Sequence, residues 1–315
     1  MVTIVFLDRG TVTVPFRKPS IPHEWLDYEY TAPEETIERL RGATIAVTNK
    51  IKIREAELSV LPQLKLIAIT ATGFDNVDLA ACRKRGIVVA NVPGYARASV
   101  PEHVMMLILA LRRNLPAYQK AIHAGRWQHS AQPTVNDIPV EDLHGTSLGL
   151  IGYGDLAKGV ECLARAFGME ILITEHKEVS QVRPGRTLFQ EVLRRSDVVS
   201  LHTPLNDQTR NLIGPSELAL MKRTALLINA ARGGLVDEKA LMEALREGRL
   251  GGAGVDVLSV EPPREGNPLL DLNLPNLIVT PHIAWTSRQA QEILAEEVVK
   301  NIEAFAAGKP RNIVS

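Results

Sequence analysis

The feature that most constrains this 315-residue chain is Gly152-Tyr153-Gly154, which stands mid-chain between the apolar run Leu148–Ile151 and the helix-compatible stretch Leu156–Phe167. An apolar run, a glycine turn and a helix make the strand–turn–helix unit that holds a phosphate on backbone amides at the helix N-terminus. Position matters as much as pattern. Nearly half of the chain precedes this unit and needs a separate purpose, so two domains are expected, and the length is sufficient for two cores.

The stretches on either side support that division. In the first hundred residues the runs Thr3–Leu7, Thr44–Thr48, Leu66–Thr70 and Ile87–Ala90 alternate with the helix-compatible Pro33–Arg41 and Val77–Arg85. Such alternation predicts parallel strands joined by crossover helices. The rhythm resumes with Leu148–Ile151, Glu170–Thr174, Asp197–Leu201, Ala225–Asn229, Ala253–Val257 and Leu277–Thr280, enough strands for a complete doubly wound sheet. Between the blocks, Ser99-Val100-Pro101-Glu102 reads as a capped helix start with Pro in the first turn, and the helix is expected to run to about Gly125. Its all-round hydrophobicity at Met105–Leu109 demands cover on more than one side, which suggests a homodimer interface over 99–125; an internal linker helix is the plainer reading. The pattern over Thr286–Ala307 is expected to return the chain to its first domain. The predicted fold is α/β, with two doubly wound parallel-sheet domains: 99–286 inserted into a discontinuous domain of 1–98 plus 287–315.

Charge and cysteine content narrow the partners. The 36 basic and 36 acidic side chains balance to +0, which offers no footprint for nucleic acid or an anionic membrane and leaves a small molecule as the expected ligand. Cys82 and Cys162 are the only cysteines, too few for a disulfide framework and not spaced as a metal or redox pair, so no metal site is expected. Met1–Arg9 has no basic region ahead of its apolar run and does not read as a signal peptide. The longest apolar stretch, Val104–Leu111, is far shorter than a membrane span, so a cytoplasmic location is expected.

Within the glycine motif each position has a task. Gly152 makes the tight turn, Gly154 lets the backbone approach a pyrophosphate, Leu156 opens the helix, and the small Ala157 allows helix and strand to pack closely. Asp155 carries a charge unsuited to facing phosphates, and it is expected to cap the helix instead. Glu175 stands roughly twenty residues on, where an acid accepts hydrogen bonds from the adenosine ribose and repels a ribose phosphate. That favours NAD (NADH) over NADP, although His176 and Lys177 alongside soften the preference.

Three further strand ends carry residues of matching chemistry. Arg232, in Asn229-Ala230-Ala231-Arg232-Gly233-Gly234, follows a strand, and its fork of donors suits a carboxylate next to a carbonyl, although an arginine alone would more often be a surface ion pair. His282, in Thr280-Pro281-His282-Ile283-Ala284-Trp285, follows another, and Glu261 follows the strand between them. A carboxylate beside an imidazole fixes its tautomer and favours the protonated ring, which suits a group that gives a proton to a carbonyl and takes it back from an alcohol.

The set of Gly152–Ala157, Glu175, Ala230-Ala231-Arg232-Gly233-Gly234, Asp256, Glu261 and Pro281-His282 resembles the D-isomer-specific 2-hydroxyacid dehydrogenases over nearly the whole chain. The stretches Ala71-Thr72-Gly73-Phe74-Asp75-Asn76-Val77-Asp78 and Glu261-Pro262-Pro263-Arg264-Glu265-Gly266-Asn267-Pro268-Leu269 are most similar to the bacterial glycerate dehydrogenase (hydroxypyruvate reductase) branch. The resemblance implies a Rossmann cofactor domain and a flavodoxin-like substrate domain. It implies that Arg232 binds and polarises substrate, that His282 is the acid/base and that Glu261 tunes it. Asp256 would hold the nicotinamide carboxamide, and Thr72, Thr203, Pro204, Thr209, Ala230 and Ala231 would line the cofactor. Amides near Gly73, with Asn49 and Lys50, would meet the substrate carboxylate. Separately, Trp285 beside His282 suggests a wall over the substrate side chain, favouring small acids such as hydroxypyruvate or glyoxylate, although core or interface is the plainer reading of a tryptophan. Two rival activities share the scaffold. An NADH-sensing binding protein of the corepressor type would carry a peptide-binding surface or long disordered tails, neither of which is seen. Formate enzymes, which with phosphite oxidation make the other rival, pair the histidine with Gln where this chain has Glu261.

Overall fold

Short runs rich in Val, Ile and Leu become parallel strands in the computed structural model, which describes residues 1–179 and 181–315. The chain divides into two compact units, Met1–Ala96 with Thr286–Ser315, and Arg97–Trp285.

The first unit is built on β1 (Val2–Phe6), β2 (His23–Asp27), β3 (Ile45–Thr48), β4 (Leu66–Ile69) and β5 (Val88–Ala90), all parallel in the order β2-β1-β3-β4-β5. This is the flavodoxin-like order. β3 and β4 are buried along their whole length, as expected of strands covered on both faces. β2 is absent from the sequence expectation. Its residues His23-Glu24-Trp25-Leu26-Asp27 are mostly polar and only partly covered, because an edge strand needs one partner and no apolar run. The helix Arg288–Ala306 returns here and packs on β4, with Leu294, Val298 and Ile302 buried. Asn301 then donates to the Asn91 carbonyl at 2.8 Å and accepts from Asn312 at 3.0 Å, which ties down the end of the chain.

The second unit carries β6 (Ser147–Ile151), β7 (Glu170–Ile173), β8 (Val198–Leu201), β9 (Leu226–Asn229), β10 (Gly252–Val255) and β11 (Leu277–Val279), parallel in the order β7-β6-β8-β9-β10-β11. Thr187 forms an isolated parallel bridge to Thr174 beyond β7. Chain direction across the sheet reverses between β6 and β8, and the carboxyl ends of those two strands flank the crevice where doubly wound sheets bind ligands.

The helix expected over 99–125 is two helices, Ser99–Arg112 and Leu115–His123. Asn114 sits in the left-handed region at φ +49°, which asparagine tolerates, and Pro116 lacks the N–H that a helix interior requires. Ser99 is likewise not the cap. Ala98 occupies that position, and the Ser99 hydroxyl donates instead to the Ala284 carbonyl at 2.6 Å. Of Met105–Leu109, Met105, Leu107 and Ile108 are buried, while Met106 is 45% exposed. Among the described residues no helix is long and apolar enough to cross a membrane.

Candidate active site

Because β9, β10 and β11 are neighbours and parallel, the residues that follow them emerge at one sheet edge: Arg232 after β9, Asp256 and Glu261 after β10, His282 after β11. The turn after β9 is held by Asn229, 1% exposed, whose side chain donates to the Arg232 carbonyl at 2.8 Å and accepts from the Ala231 amide at 3.1 Å. Gly233 makes the next step possible: a Cβ there would lie 1.9 Å from the Leu258 carbonyl carbon, so only glycine lets this turn approach the segment leading to Glu261. The Arg232 guanidinium donates back to the Ala231 carbonyl at 2.8 Å, and Ala230 and Ala231 are half-buried beside it.

His282 Nδ1 lies 2.6 Å from Glu261 Oε2, and Glu261 Oε1 accepts from the Leu258 amide at 2.9 Å. A carboxylate on Nδ1 makes that nitrogen the donor and leaves Nε2 for proton exchange. His282 takes φ +57°, an unfavourable conformation for a residue with a Cβ. Asp256, 1% exposed, holds it there by accepting from Thr280 Oγ1 (2.6 Å), the Ile283 amide (2.9 Å) and the Ala284 amide (2.9 Å), while its carbonyl accepts from the His282 amide (2.8 Å). Asp256 therefore clamps the histidine loop. His103 Nε2 sits 3.0 Å from Thr280 Oγ1 behind this clamp, and burial lowers its affinity for a proton despite the nearby Asp256 charge. Trp285 is buried at the loop's end.

At the switch point Gly152 takes φ +86°, and a Cβ on it would lie 2.5 Å from the His202 carbonyl. Gly154 is different: a Cβ there meets no atom within 4 Å, so its absence leaves room above the turn at the start of the helix Asp155–Ala166. Open backbone at a helix N-terminus fits a pyrophosphate. The expectation that Asp155 caps this helix is corrected. Gly154 holds the cap position, and Asp155, one residue inside beside the half-buried Leu156, has its carboxylate on Arg97 Nη2 at 2.5 Å and Nε at 3.0 Å. An acid inside the first turn interacts with the helix dipole without having to cap an amide, and Arg97 neutralises it. On the other flank Thr203 and Pro204 follow β8, and Thr209 closes their loop by donating to the Pro204 carbonyl at 2.7 Å. His202 contacts Ser200 Oγ at 2.9 Å, and burial pushes its pKa down to about 4.

Glu175 ends the strand beside the glycine turn but is not open to a ribose as expected. It is 4% exposed and chelated by Arg183, with Nη2 on Oε1 at 2.6 Å and Nε on Oε2 at 2.7 Å, and the pair holds the carboxyl far below the usual carboxylate range.

In the first unit Asn49 and Lys50 follow β3, and Thr72 and Gly73 follow its neighbour β4, so all four stand at one sheet edge. Asn49 is 4% exposed and its Nδ2 has no hydrogen-bond partner among the described residues. The Thr72 hydroxyl donates to the Val92 carbonyl at 2.8 Å.

Three residues with evident work here escaped the sequence expectation. Buried Asp8 accepts from the Asn49, Lys50 and Ile51 amides, and burial raises its pKa against those amides. Its one signal is an acid directly after an apolar strand. Glu238 accepts from the Ser259 amide and hydroxyl and from Asn267, which fastens the loop that bears Glu261, yet in sequence it reads as an ordinary first-turn acid. Arg183 lies in a loop without periodicity.

An open glycine turn at a helix N-terminus and a Glu–His pair at the same sheet edge are features that suit a nicotinamide-dependent oxidoreductase. Residues 105–284 match the family described as D-isomer specific 2-hydroxyacid dehydrogenase, NAD binding domain. The glycerate dehydrogenase of Methylorubrum extorquens is 49% identical over 99% of this chain and 98% of its own, and the hydroxypyruvate reductase of Blautia hydrogenotrophica is 33% identical over 90% and 89%. The solved D-lactate dehydrogenase of Aquifex aeolicus, complexed with NAD and lactic acid, superposes with a TM-score of 0.78 at 29% identity over 97% of this chain and 96% of its own. The chain belongs to the D-isomer specific 2-hydroxyacid dehydrogenase family, and it is an oxidoreductase.

Proposed function

We propose that the protein reduces a small 2-keto acid, hydroxypyruvate or glyoxylate, to the D-2-hydroxyacid with NADH. The observation that carries this reading is the 2.6 Å contact between Glu261 and His282 at the sheet edge that Arg232 shares. The names of the glycerate dehydrogenase and hydroxypyruvate reductase relatives support the substrate class. The Gly152–Ala157 turn would hold the pyrophosphate of a nicotinamide cofactor, which when bound would supply the hydride for reduction at C2.

Arg232 pairs with the substrate carboxylate and draws negative charge off the C2 carbonyl oxygen through its fork of donors. His282 passes the Nε2 proton to that oxygen as the C2 centre is reduced, and Glu261 on Nδ1 fixes the tautomer and orientation of the ring. In the reverse direction the same nitrogen takes the alcohol proton. Asp256 holds the His282 backbone in place and takes the carboxamide contact that the resemblance implies. Thr203, Pro204, Ala230 and Ala231 line the cofactor, and Thr209 keeps that loop closed. Asn49, whose buried Nδ2 has no hydrogen-bond partner among the described residues, joins Lys50, Thr72 and Gly73 in binding the substrate carboxylate, and Trp285 limits the side chain at C2. Residues 1–98 with 287–315 thus form the substrate domain of a cytoplasmic enzyme. The exposed apolar face at Met106, Leu115 and Phe167 supports a homodimer through 99–125.

The test is cofactor oxidation with hydroxypyruvate, glyoxylate, pyruvate, phenylpyruvate and 2-ketoisocaproate. Hydroxypyruvate or glyoxylate should lead, and His282→Ala should cut turnover by about 10²–10⁴-fold while NADH still binds. Turnover retained in that variant refutes the assignment.

A further inference from the structure

Glu175, the residue that should select against a ribose phosphate, has no acceptor to offer. A carboxylate has about four lone-pair directions. Four donors occupy them: Arg183 Nη2 (2.6 Å) and the His176 amide (3.0 Å) on Oε1, Arg183 Nε (2.7 Å) and the Arg183 amide (3.2 Å) on Oε2. The acid is buried, whereas the Arg183 side chain is 61% exposed. What this corner presents to solvent is therefore a guanidinium whose remaining N–H groups point away from Glu175.

The corner is also where a bound adenosine ribose belongs, because Glu175 follows β7 and the glycine turn follows the adjacent β6. Its surroundings are basic. Arg186 lies 5.2 Å and Lys158 5.8 Å from the Tyr153 ring between the two glycines, and Arg186 donates to the Thr174 carbonyl at 3.0 Å. With the Glu175 charge cancelled by Arg183, Lys158 and Arg186 leave the corner positive. The nearby acids Asp155 and Glu161 are paired with Arg97 and Arg165.

We infer that Arg183 is a specificity-determining residue that opens the site to a 2′-phosphorylated nucleotide, so that the enzyme accepts NADPH as well as NADH. A guanidinium donates to a ribose hydroxyl oxygen and to a phosphate alike, whereas a free carboxylate accepts from the first and repels the second. This rests on the reading that the second unit's turn binds a nicotinamide cofactor.

The test uses the full-length enzyme in two assays. One measures kcat/KM for NADPH and NADH with the best keto acid, and the other titrates adenosine 2′,5′-bisphosphate and 5′-AMP by calorimetry. In the wild type NADPH should come within about tenfold of NADH, and the bisphosphate should bind more tightly than 5′-AMP. Arg183→Gln should move the NADPH:NADH ratio about 30-fold toward NADH and weaken the bisphosphate relative to 5′-AMP by a similar factor, the size of one or two charge-assisted hydrogen bonds. Arg183→Lys, which keeps the charge and loses the fork, should fall between. Glu175→Gln should raise affinity for the bisphosphate, and Arg194→Gln, exposed on the helix Phe189–Arg195, should change neither ratio. An NADPH:NADH ratio below about one in a hundred in the wild type, or a ratio that Arg183→Gln leaves unmoved, overturns the inference. If 5′-AMP binds and NADH is oxidised in that case, the functional reading survives; if neither nucleotide binds and no keto acid is reduced, both fall.

Discussion

His282 keeps its imidazole on a backbone that the chain disfavours, and the cost of its φ +57°, on the order of 1–3 kcal/mol, is met by the hydrogen bonds converging on Asp256. Chemistry at this residue needs orientation as well as acidity. Replacing Glu261 by Gln keeps a hydrogen-bond partner but removes the acceptor-only carboxylate that fixes Nδ1 as the donor, so steady-state kinetics should show kcat falling by about 10–100-fold with KM for NADH little moved. The glycines of the turn separate stability from binding. Gly152→Ala combines a left-handed backbone with a clash against the His202 carbonyl and should lower stability in urea by about 2–4 kcal/mol. Gly154→Ala meets no protein atom, so its urea midpoint should hold while affinity for NADH, followed by fluorescence titration, drops about tenfold or more.

At the scale of elements, the segment after β8 makes folding stability depend on pH. His202 is buried with a pKa of about 4, against an ordinary value near 6.5 when the chain unfolds. Above pH 6.5 the ring is neutral in both states and has no effect. As pH falls from 6.5 towards 4 only the unfolded chain takes up the proton, so stability declines, by about 2 kcal/mol at pH 5 from this residue. Thermal melts of the wild type should therefore lose more between pH 7 and pH 5 than melts of His202→Asn; equal losses would refute the assignment. Elements also differ in how far local pattern reveals them. The buried strands β3, β4, β8 and β9 announce themselves as apolar runs, because both of their faces are covered. Edge strand β2 is nearly invisible, since half of its surface stays in water and its residues obey no run rule. The break at Asn114-Leu115-Pro116 had a readable signal in Pro116, outweighed by the apolar residues preceding it.

For the whole molecule, the apolar groove of about 560 Å³ lined by Met105, Met106, Leu109, Leu115, Leu163 and Phe167 is where a second copy is expected to bind. Light scattering at micromolar concentration should give twice the chain mass, and Met106→Glu should shift it towards the monomer by placing a charge in an apolar contact. A monomeric wild type would remove that proposal. Strand identity, the glycine turn and the strand-end placement of Arg232, Glu261 and His282 were legible along the chain, because period, apolar runs and backbone freedom are local properties. Which charges meet was not. Asp155 on Arg97, Glu175 under Arg183 and Asp256 clamping Ile283 and Ala284 are pairings across loops and between strand ends, and no local pattern encodes a partner. Folding alone sets those distances, and hydrogen bonds that fail beyond a few ångströms, with Coulomb energies that weaken with distance, then decide what each side chain does.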